Sequence, residues 1–332
     1  MTSSVLPRVG VIGVGVIGRA HVERLLSPAS PAELAGVADA DPDAARAVAA
    51  EYGAEAAPSA ERLLARDDVD AVVVCVPSGL HADVAVAALD AGKHVLLEKP
   101  LEVSVDAADR IIDAEKRSGR VLSVVSQRRF AAENRFLHRT IAAGGLGRVT
   151  TANVEIALWR TQEYYDSGAW RGTWALDGGG ALMNQGVHLV DLVLWLLGDV
   201  EEVYAHSGLL AHERIEVEDA ITITARFRSG ALLTFLATTT AYGDLPLRVA
   251  VTGDGGSVVT LSETITHFVT RVGREVPEFD PVDQQLAQLS DFVAAIQHGT
   301  PPLVTSAQAR AAVAFIEAAY ASARTGRPVR PR

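Results

Sequence analysis

Through its first third the chain alternates short β-branched runs with Ala-rich stretches whose apolar residues recur at helical spacing, the pattern of βαβ units around a parallel sheet. Strands are predicted over residues 9–12, 34–38, 71–76, 95–97 and 121–125. Helices are predicted over 17–26, 43–52, 81–91 and 105–118, the last closed by Gly119. After residue 125 the grammar changes to longer strand-like runs, 148–158, 220–228, 231–240 and 247–252, with turns at Ser229-Gly230 and Asp254-Gly255-Gly256. One helix, 182–197, interrupts them; it follows Gly178-Gly179-Gly180 and stops at Gly198. The tail, 284–323, reads as two helices separated by Gly299-Thr300-Pro301-Pro302. The fold expected is α/β. A doubly wound sheet occupies residues 1–125, and an α+β domain on a large, mostly antiparallel open sheet occupies 126–332.

A length of 332 residues, beyond what one hydrophobic core sustains, agrees with two domains. Thirty Lys and Arg against 41 Asp and Glu give a net charge of −11, which argues against a nucleic-acid partner. The single cysteine, Cys75, cannot form an internal disulfide or a thiolate zinc site and reads as a buried strand residue. No ligand cluster suggests a metal. No signal-peptide pattern opens the chain and no apolar run reaches membrane-spanning length, so a cytoplasmic protein is expected.

Gly13-x-Gly15-x-x-Gly18 sits where the first strand turns into the first helix, with Val16 and Ile17 inside the loop. Glycines at this spacing allow a tight turn, close approach of backbone to a pyrophosphate, and close packing of helix on strand. The helix N-terminus supplies free N–H groups for the anion. The second strand ends at Asp39, where a carboxylate accepts from ribose hydroxyls and repels a 2′-phosphate; neither Ala40 nor Asp41 offers a guanidinium to accept one. NAD is therefore expected over NADP.

Two further motifs stand downstream. Glu98-Lys99-Pro100 follows the strand 95–97, and the run from Gly178 to His188 reads GGGALMNQGVH, with Asp191 one turn on. His188 falls four residues after Asn184, so on a helix both face one pocket. With the glycine loop, these motifs resemble the Gfo/Idh/MocA oxidoreductases, a family of sugar and inositol dehydrogenases, over nearly the entire chain. The resemblance implies a Rossmann domain joined to an open-sheet domain, with the substrate between the nicotinamide and the large sheet. It implies Lys99 and His188 as the catalytic pair, meeting over the nicotinamide. It places Asn184 on a substrate hydroxyl where inositol dehydrogenases carry Asp, and the Asn-Gln form is similar to another branch of the family. It further implies Pro77, Ser78, His81, Glu98 and Gln127 beside the cofactor. The resemblance also implies that the stretch from Trp159 to Thr173 brings Trp170 and Arg171 to the cofactor and Tyr165 to the substrate.

The activity so implied is NAD-dependent hydride transfer at a secondary alcohol or ketone of a sugar, an inositol-like polyol or a sugar derivative. Two other readings share the scaffold: a glycoside-cleaving enzyme that oxidises its substrate only transiently, and a non-catalytic NAD-binding regulator. An open sheet with a face to bury suggests a homo-oligomer, a dimer or tetramer.

Overall fold

The computed structural model describes residues 6–273 and 275–332, which divide into two compact units. The first comprises the chain through Glu102, Asp106–Val125 and Gln285–Ala307; the second comprises Val103–Val105, Ser126–Gln284 and Gln308–Arg332.

In the first unit the order is β1 (Arg8–Ile12), α1 (Val16–Leu25), β2 (Glu33–Ala38), α2 (Pro42–Tyr52), α3 (Ala60–Leu64), β3 (Ala71–Val74), α4 (His81–Asp90), β4 (His94–Leu97), α5 (Val105–Ser118) and β5 (Leu122–Val124). The five strands are parallel in the order β2-β1-β3-β4-β5. Residues of β3 are buried at every position, as expected of a strand covered on both faces. The predicted strand 71–76 stops at Val74, leaving Cys75 half-buried one residue beyond it, at the rim of the core rather than inside the strand. Helix α2 starts where Asp41 accepts from the N–H of Asp43 at 2.9 Å with Pro42 in the first turn, and ends at Gly53. The doubly wound order reverses between β1 and β3, and ligands of such sheets bind beyond the strand C-termini at that point.

The second unit begins with α6 (Ala132–Ala142), β6 (Val149–Ala157) and α7 (Gln162–Asp166). A π-helical turn, Ala181–Gly186, leads into α8 (Val187–Leu197). The strands β7 (Val200–Gly208), β8 (Ala220–Phe227), β9 (Leu232–Thr238), β10 (Arg248–Gly253), β11 (Gly256–Leu261) and β12 (Thr264–Thr270) follow. They join β6 in a seven-stranded sheet of order β12-β11-β10-β6-β9-β8-β7. Its pairs are antiparallel except β6 with β9. Strand β8 alternates strictly, with Ile221, Ile223, Ala225 and Phe227 buried. These pack with Leu189 and Val193 of α8 and with Phe315 and Ile316 of α10 (Ser306–Thr325). The opposite face carries Thr222, Thr224, Asn153, Thr234 and His206 around a depression of about 330 Å³.

Helix α9 (Gln284–His298) brings Leu289, Phe292 and Val293 into the core of Val9, Val11 and Val37. Gln288 donates to the Val124 carbonyl at 2.7 Å and Ser123 donates to that of Val304 at 3.1 Å. The segment Gln285–Ala307 therefore belongs to the first unit, whereas the sequence reading ran the second domain unbroken to residue 332. Amphipathic spacing says that a helix buries one face; it does not say against what. Among the described residues no helix is long and apolar enough to cross a membrane.

Candidate cofactor and acid-base sites

The loop after β1 divides its glycines by role. Gly13 has φ +91°, and a methyl on it would press on the Cys75 carbonyl. A methyl on Gly18 would overlap the Gly13 carbonyl oxygen, so the helix can approach the strand only through glycine. At Gly15 a side chain would meet nothing within 4 Å. That residue opens α1 without a side-chain cap, and Val16 beyond it is 84% exposed. The first-turn N–H groups thus face open space, the arrangement an anion fills. Asp39, half-buried, accepts from the N–H of Val14 at 2.7 Å and from that of Asp41 at 2.9 Å. Its carboxylate holds the loop in place and retains lone pairs for a ribose. These residues fit a dinucleotide.

The turn after β4 is pinned from both sides. Glu98, 6% exposed, lies 2.8 Å from Nε2 of His21 on α1. Burial pushes the Glu98 carboxyl up, but the hydrogen bond from His21, with the charges of His21 and Lys99, outweighs it and holds the pKa below the ordinary carboxylate value. On the other side His81, 1% exposed, places Nδ1 2.8 Å from the Pro100 carbonyl and Nε2 3.0 Å from that of Val76. Burial pushes its pKa down. His81, expected beside the cofactor, thus has both ring nitrogens against backbone oxygens and braces the loop. Pro77 is half-buried and Ser78 buried in the short turn before it. The sequence reading missed His21, for nothing in its helical surroundings marks it as a partner of Glu98.

In the second unit the helix predicted over 182–197 opens as a π-helical turn, a form frequent at functional sites. The cause is Glu218, 5% exposed, which the sequence reading did not single out. Its carboxylate accepts from the N–H groups of Gly180 and Leu182, each at 2.9 Å, and its carbonyl accepts from Ala181 at 3.1 Å. Tyr320 on α10 donates to the same carboxylate at 2.9 Å. Side chains on the glycine run have no room: a methyl on Gly179 would strike the Tyr320 hydroxyl, and one on Gly180 the Glu218 carbonyl. Further along α8, Asp191 takes a two-point ion pair from the buried Arg129 at 2.6 and 2.8 Å.

Asn184 donates to Asp177 at 2.6 Å and accepts from Gln185 at 3.1 Å. Gln185 reaches the Tyr164 hydroxyl at 3.4 Å, and Arg171 donates to that hydroxyl at 2.8 Å while lying 4.5 Å over the Trp170 ring. Tyr164, rather than Tyr165, therefore joins the polar network. Tyr165 is buried against Ile215 and Val217 with its hydroxyl on Thr239 at 2.9 Å, and burial pushes its pKa up to about 12. Two adjacent tyrosines give the sequence no signal for which one turns inward. Gln127, at the start of a short helical turn, keeps a buried Oε1 without a hydrogen-bond partner among the described residues. Among those residues no group of three His, Cys, Asp or Glu is arranged to hold a metal.

A doubly wound sheet with an uncapped, glycine-shaped helix start and a carboxylate ending its second strand defines a dinucleotide-binding protein. Residues 7–126 match the oxidoreductase family with an NAD-binding Rossmann fold, and residues 134–259 match the GFO/IDH/MocA C-terminal domain. Inositol 2-dehydrogenase 2 of Saccharopolyspora erythraea is 31% identical over 333 residues, covering 96% of this chain and 93% of that one. Inositol 2-dehydrogenase 3 of the same organism is 37% identical over 193 residues, 58% of this chain, and the chain spans only 54% of that relative. The WlbA dehydrogenase from Bordetella pertussis, solved with NADH and UDP-GlcNAcA, superposes with a TM-score of 0.89 at 32% identity over 98% of both chains. The chain belongs to the Gfo/Idh/MocA family, NAD-dependent dehydrogenases acting on sugar hydroxyls. Its cofactor is NAD(H).

Glu218 carries a pH signature. Burial pushes its carboxyl from 4.5 up to about 7, against the pull of the Leu182 and Gly180 N–H groups and the Tyr320 hydroxyl. Between those pH values the folded chain holds a proton that the unfolded chain has lost, so stability should fall as pH rises from about 4.5 to 7 and level off above. The drop should be on the order of 3 kcal/mol. Urea denaturation of wild type and Glu218→Gln at pH 5, 6, 7 and 8 checks this. The variant's profile should lack that decline, and parallel profiles would mean that Glu218 titrates elsewhere.

Proposed function

We propose that this protein oxidises a secondary alcohol on a sugar, a polyol or a sugar derivative, or reduces the corresponding ketone, with Lys99 and His188 as its acid-base pair. One observation carries the reading: both motifs are buried except at the residues expected to do chemistry and at Gln185. From Val95 to Glu102 only Lys99 is not buried, and from Asp177 to Val193 only Asn184, Gln185 and His188 are not. The NAD, when bound, supplies the hydride acceptor. The His188 imidazole takes the hydroxyl proton, a task suited to a base that is neutral near pH 7. The Lys99 ammonium donates to the oxygen as charge develops on it. Asn184, which cannot serve as a base, orients a neighbouring hydroxyl. Gln127 would lie on the nicotinamide side when the cofactor is bound. A cytoplasmic setting suits a chain with one cysteine.

Lys99→Ala and His188→Ala should each lower kcat by about 10²-fold or more on the best sugar or polyol found in an NADH-absorbance screen, with NAD affinity largely kept. The double variant should lose less than the product of the two, as groups handling one proton act together. A folded His188→Ala protein turning over at near wild-type rate would sink the mechanism.

Asp39 leads to a second expectation, that NADH binds at least tenfold more tightly than NADPH by calorimetry, because the carboxylate repels a 2′-phosphate. Asp39→Ala should narrow that ratio. Equal wild-type affinities would show that the carboxylate serves only the Val14 and Asp41 amides.

The outer face of the seven-stranded sheet is the surface on which we place self-association into a dimer or tetramer. Its Thr222, Thr224, Asn153 and Thr234 side chains line a depression whose hydrogen-bonding groups a second copy can match. Light scattering at micromolar concentration should give a multiple of 35.0 kDa. Thr222→Arg with Thr224→Arg should reduce it to one copy, and a monomeric wild type overturns the assignment.

A further inference from the structure

Two guanidinium groups in the second unit flank a single ring. The Arg160 and Arg171 carbons lie 5.3 and 4.4 Å from the Tyr164 centroid. Both side chains are half-buried. Arg160 donates to the Trp159 carbonyl at 2.8 Å and to Gln185 Oε1 at 3.4 Å; Arg171 donates to the Tyr164 hydroxyl at 2.8 Å. All of these acceptors are neutral. Neither arginine has a carboxylate partner among the described residues, in a chain with 41 acidic side chains. Arg66 pairs with Glu55 and Asp68, Arg128 with Glu263, and Arg129 with Asp191. Arg24 and Arg248, also half-buried, bond only the Ala20 carbonyl and the Asn153 amide oxygen, but neither shares an aromatic ring with a second guanidinium. The carboxylate nearest in the network, through Gln185 and Asn184, is that of Asp177, which holds the Asn184 amide and accepts from the Gly172 N–H at 2.8 Å.

Two cations partly withdrawn from water and from each other's counter-charge are stabilised by an anion that fits their forks, and a carboxylate fits a guanidinium with two parallel hydrogen bonds. The network also connects them to the positions where substrate hydroxyls are expected, through Gln185 to Asn184. We infer that Arg160 and Arg171 hold a carboxylate of the substrate, which makes the substrate class a sugar acid rather than a neutral polyol. This rests on the proposed sugar oxidoreductase. A phosphate of the cofactor, beside which the family resemblance places Arg171, is the other anion these arginines can serve; this inference assigns Arg171 to the substrate instead, and the experiment separates the two.

Enzyme saturated with NADH is titrated calorimetrically with D-glucuronate and D-galacturonate and with the neutral D-glucose and D-galactose, and NADH formation from NAD is followed with the same four sugars and with a panel of neutral polyols. The uronates should be preferred about tenfold or more, in binding and in kcat/KM. Arg160→Gln and Arg171→Gln should each cut that preference about tenfold, the scale of one lost charge-assisted hydrogen bond, with NADH affinity changed less than twofold. A wild type that binds or oxidises neutral sugars as well as uronates overturns the inference while leaving the proposed function standing. So does an unchanged preference in both variants, and if NADH binding then weakens the arginines belong to the cofactor phosphate. Absence of NADH formation from every sugar and polyol, charged or neutral, overturns the proposed function itself and this inference with it.

Discussion

Much of the irregular backbone in the second unit hangs on two adjacent buried carboxylates, Glu218 and Asp219, just before β8. Irregular segments leave N–H groups that no ladder satisfies, and a buried N–H without an acceptor is costly. Glu218 takes those that open the π-helical turn. Asp219, fully buried, takes the N–H groups of Leu210, Ala211 and His212 at 2.8 to 3.0 Å together with His212 Nδ1 at 2.9 Å. His212 in turn places Nε2 2.8 Å from the carbonyl of Arg160. One strand end thereby fixes both the turn that carries Asn184 and the loop that carries Arg160. Burial pushes both carboxyls up. With three backbone N–H groups and an imidazole around it, Asp219 ends below the ordinary value; Glu218 ends above it.

The first unit solves the opposite problem. Its cofactor loop needs donors left vacant, so α1 begins with no side-chain cap and no acidic residue in its first turn. The π-helical turn of the second unit has its donors filled by a carboxylate already in the chain, and a ligand anion has no seat there. Positive charge in the polar network of that unit is offered by side chains instead, Arg160 and Arg171, which bond only neutral acceptors. Around Lys99 the first unit uses buried imidazoles as posts: His21 for Glu98 on one side, His81 for Pro100 on the other.

The regular elements were legible in the sequence because periodicity is local. The five strands and main helices of the first unit lie close to their predicted places, and the hairpin turn at Ser229-Gly230 joins β8 to β9. The helices α3, α6 and α7 and the strands β7, β11 and β12 were not anticipated. β12 shows why: its burial pattern leaves most positions open, so it lacks the apolar alternation that reveals a half-buried strand. Long-range partners were illegible for another reason. That α9 completes the first core, that His21 meets Glu98 across 77 residues, and that Glu218 reaches back 38 residues to Gly180 are facts of packing, and one sequence holds no record of them.

Residue type pointed to His188 and Lys99, and their partial exposure within buried motifs agrees with the roles proposed for them. Helix α8 is otherwise Val, Leu and Trp apart from Asp191, which Arg129 neutralises. An apolar residue at 188 would add to the core, and burying one more Leu-sized side chain contributes about 1.5–3 kcal/mol. Keeping a half-exposed imidazole at that position forgoes part of this gain, as does keeping a lysine between the buried Glu98 and Pro100. Concessions of that kind cluster where stability is traded for function. Both fall within motifs that are otherwise buried but for Asn184 and Gln185, so the side chains left partly open are a lysine, an imidazole and two amides, the groups a polar substrate can meet.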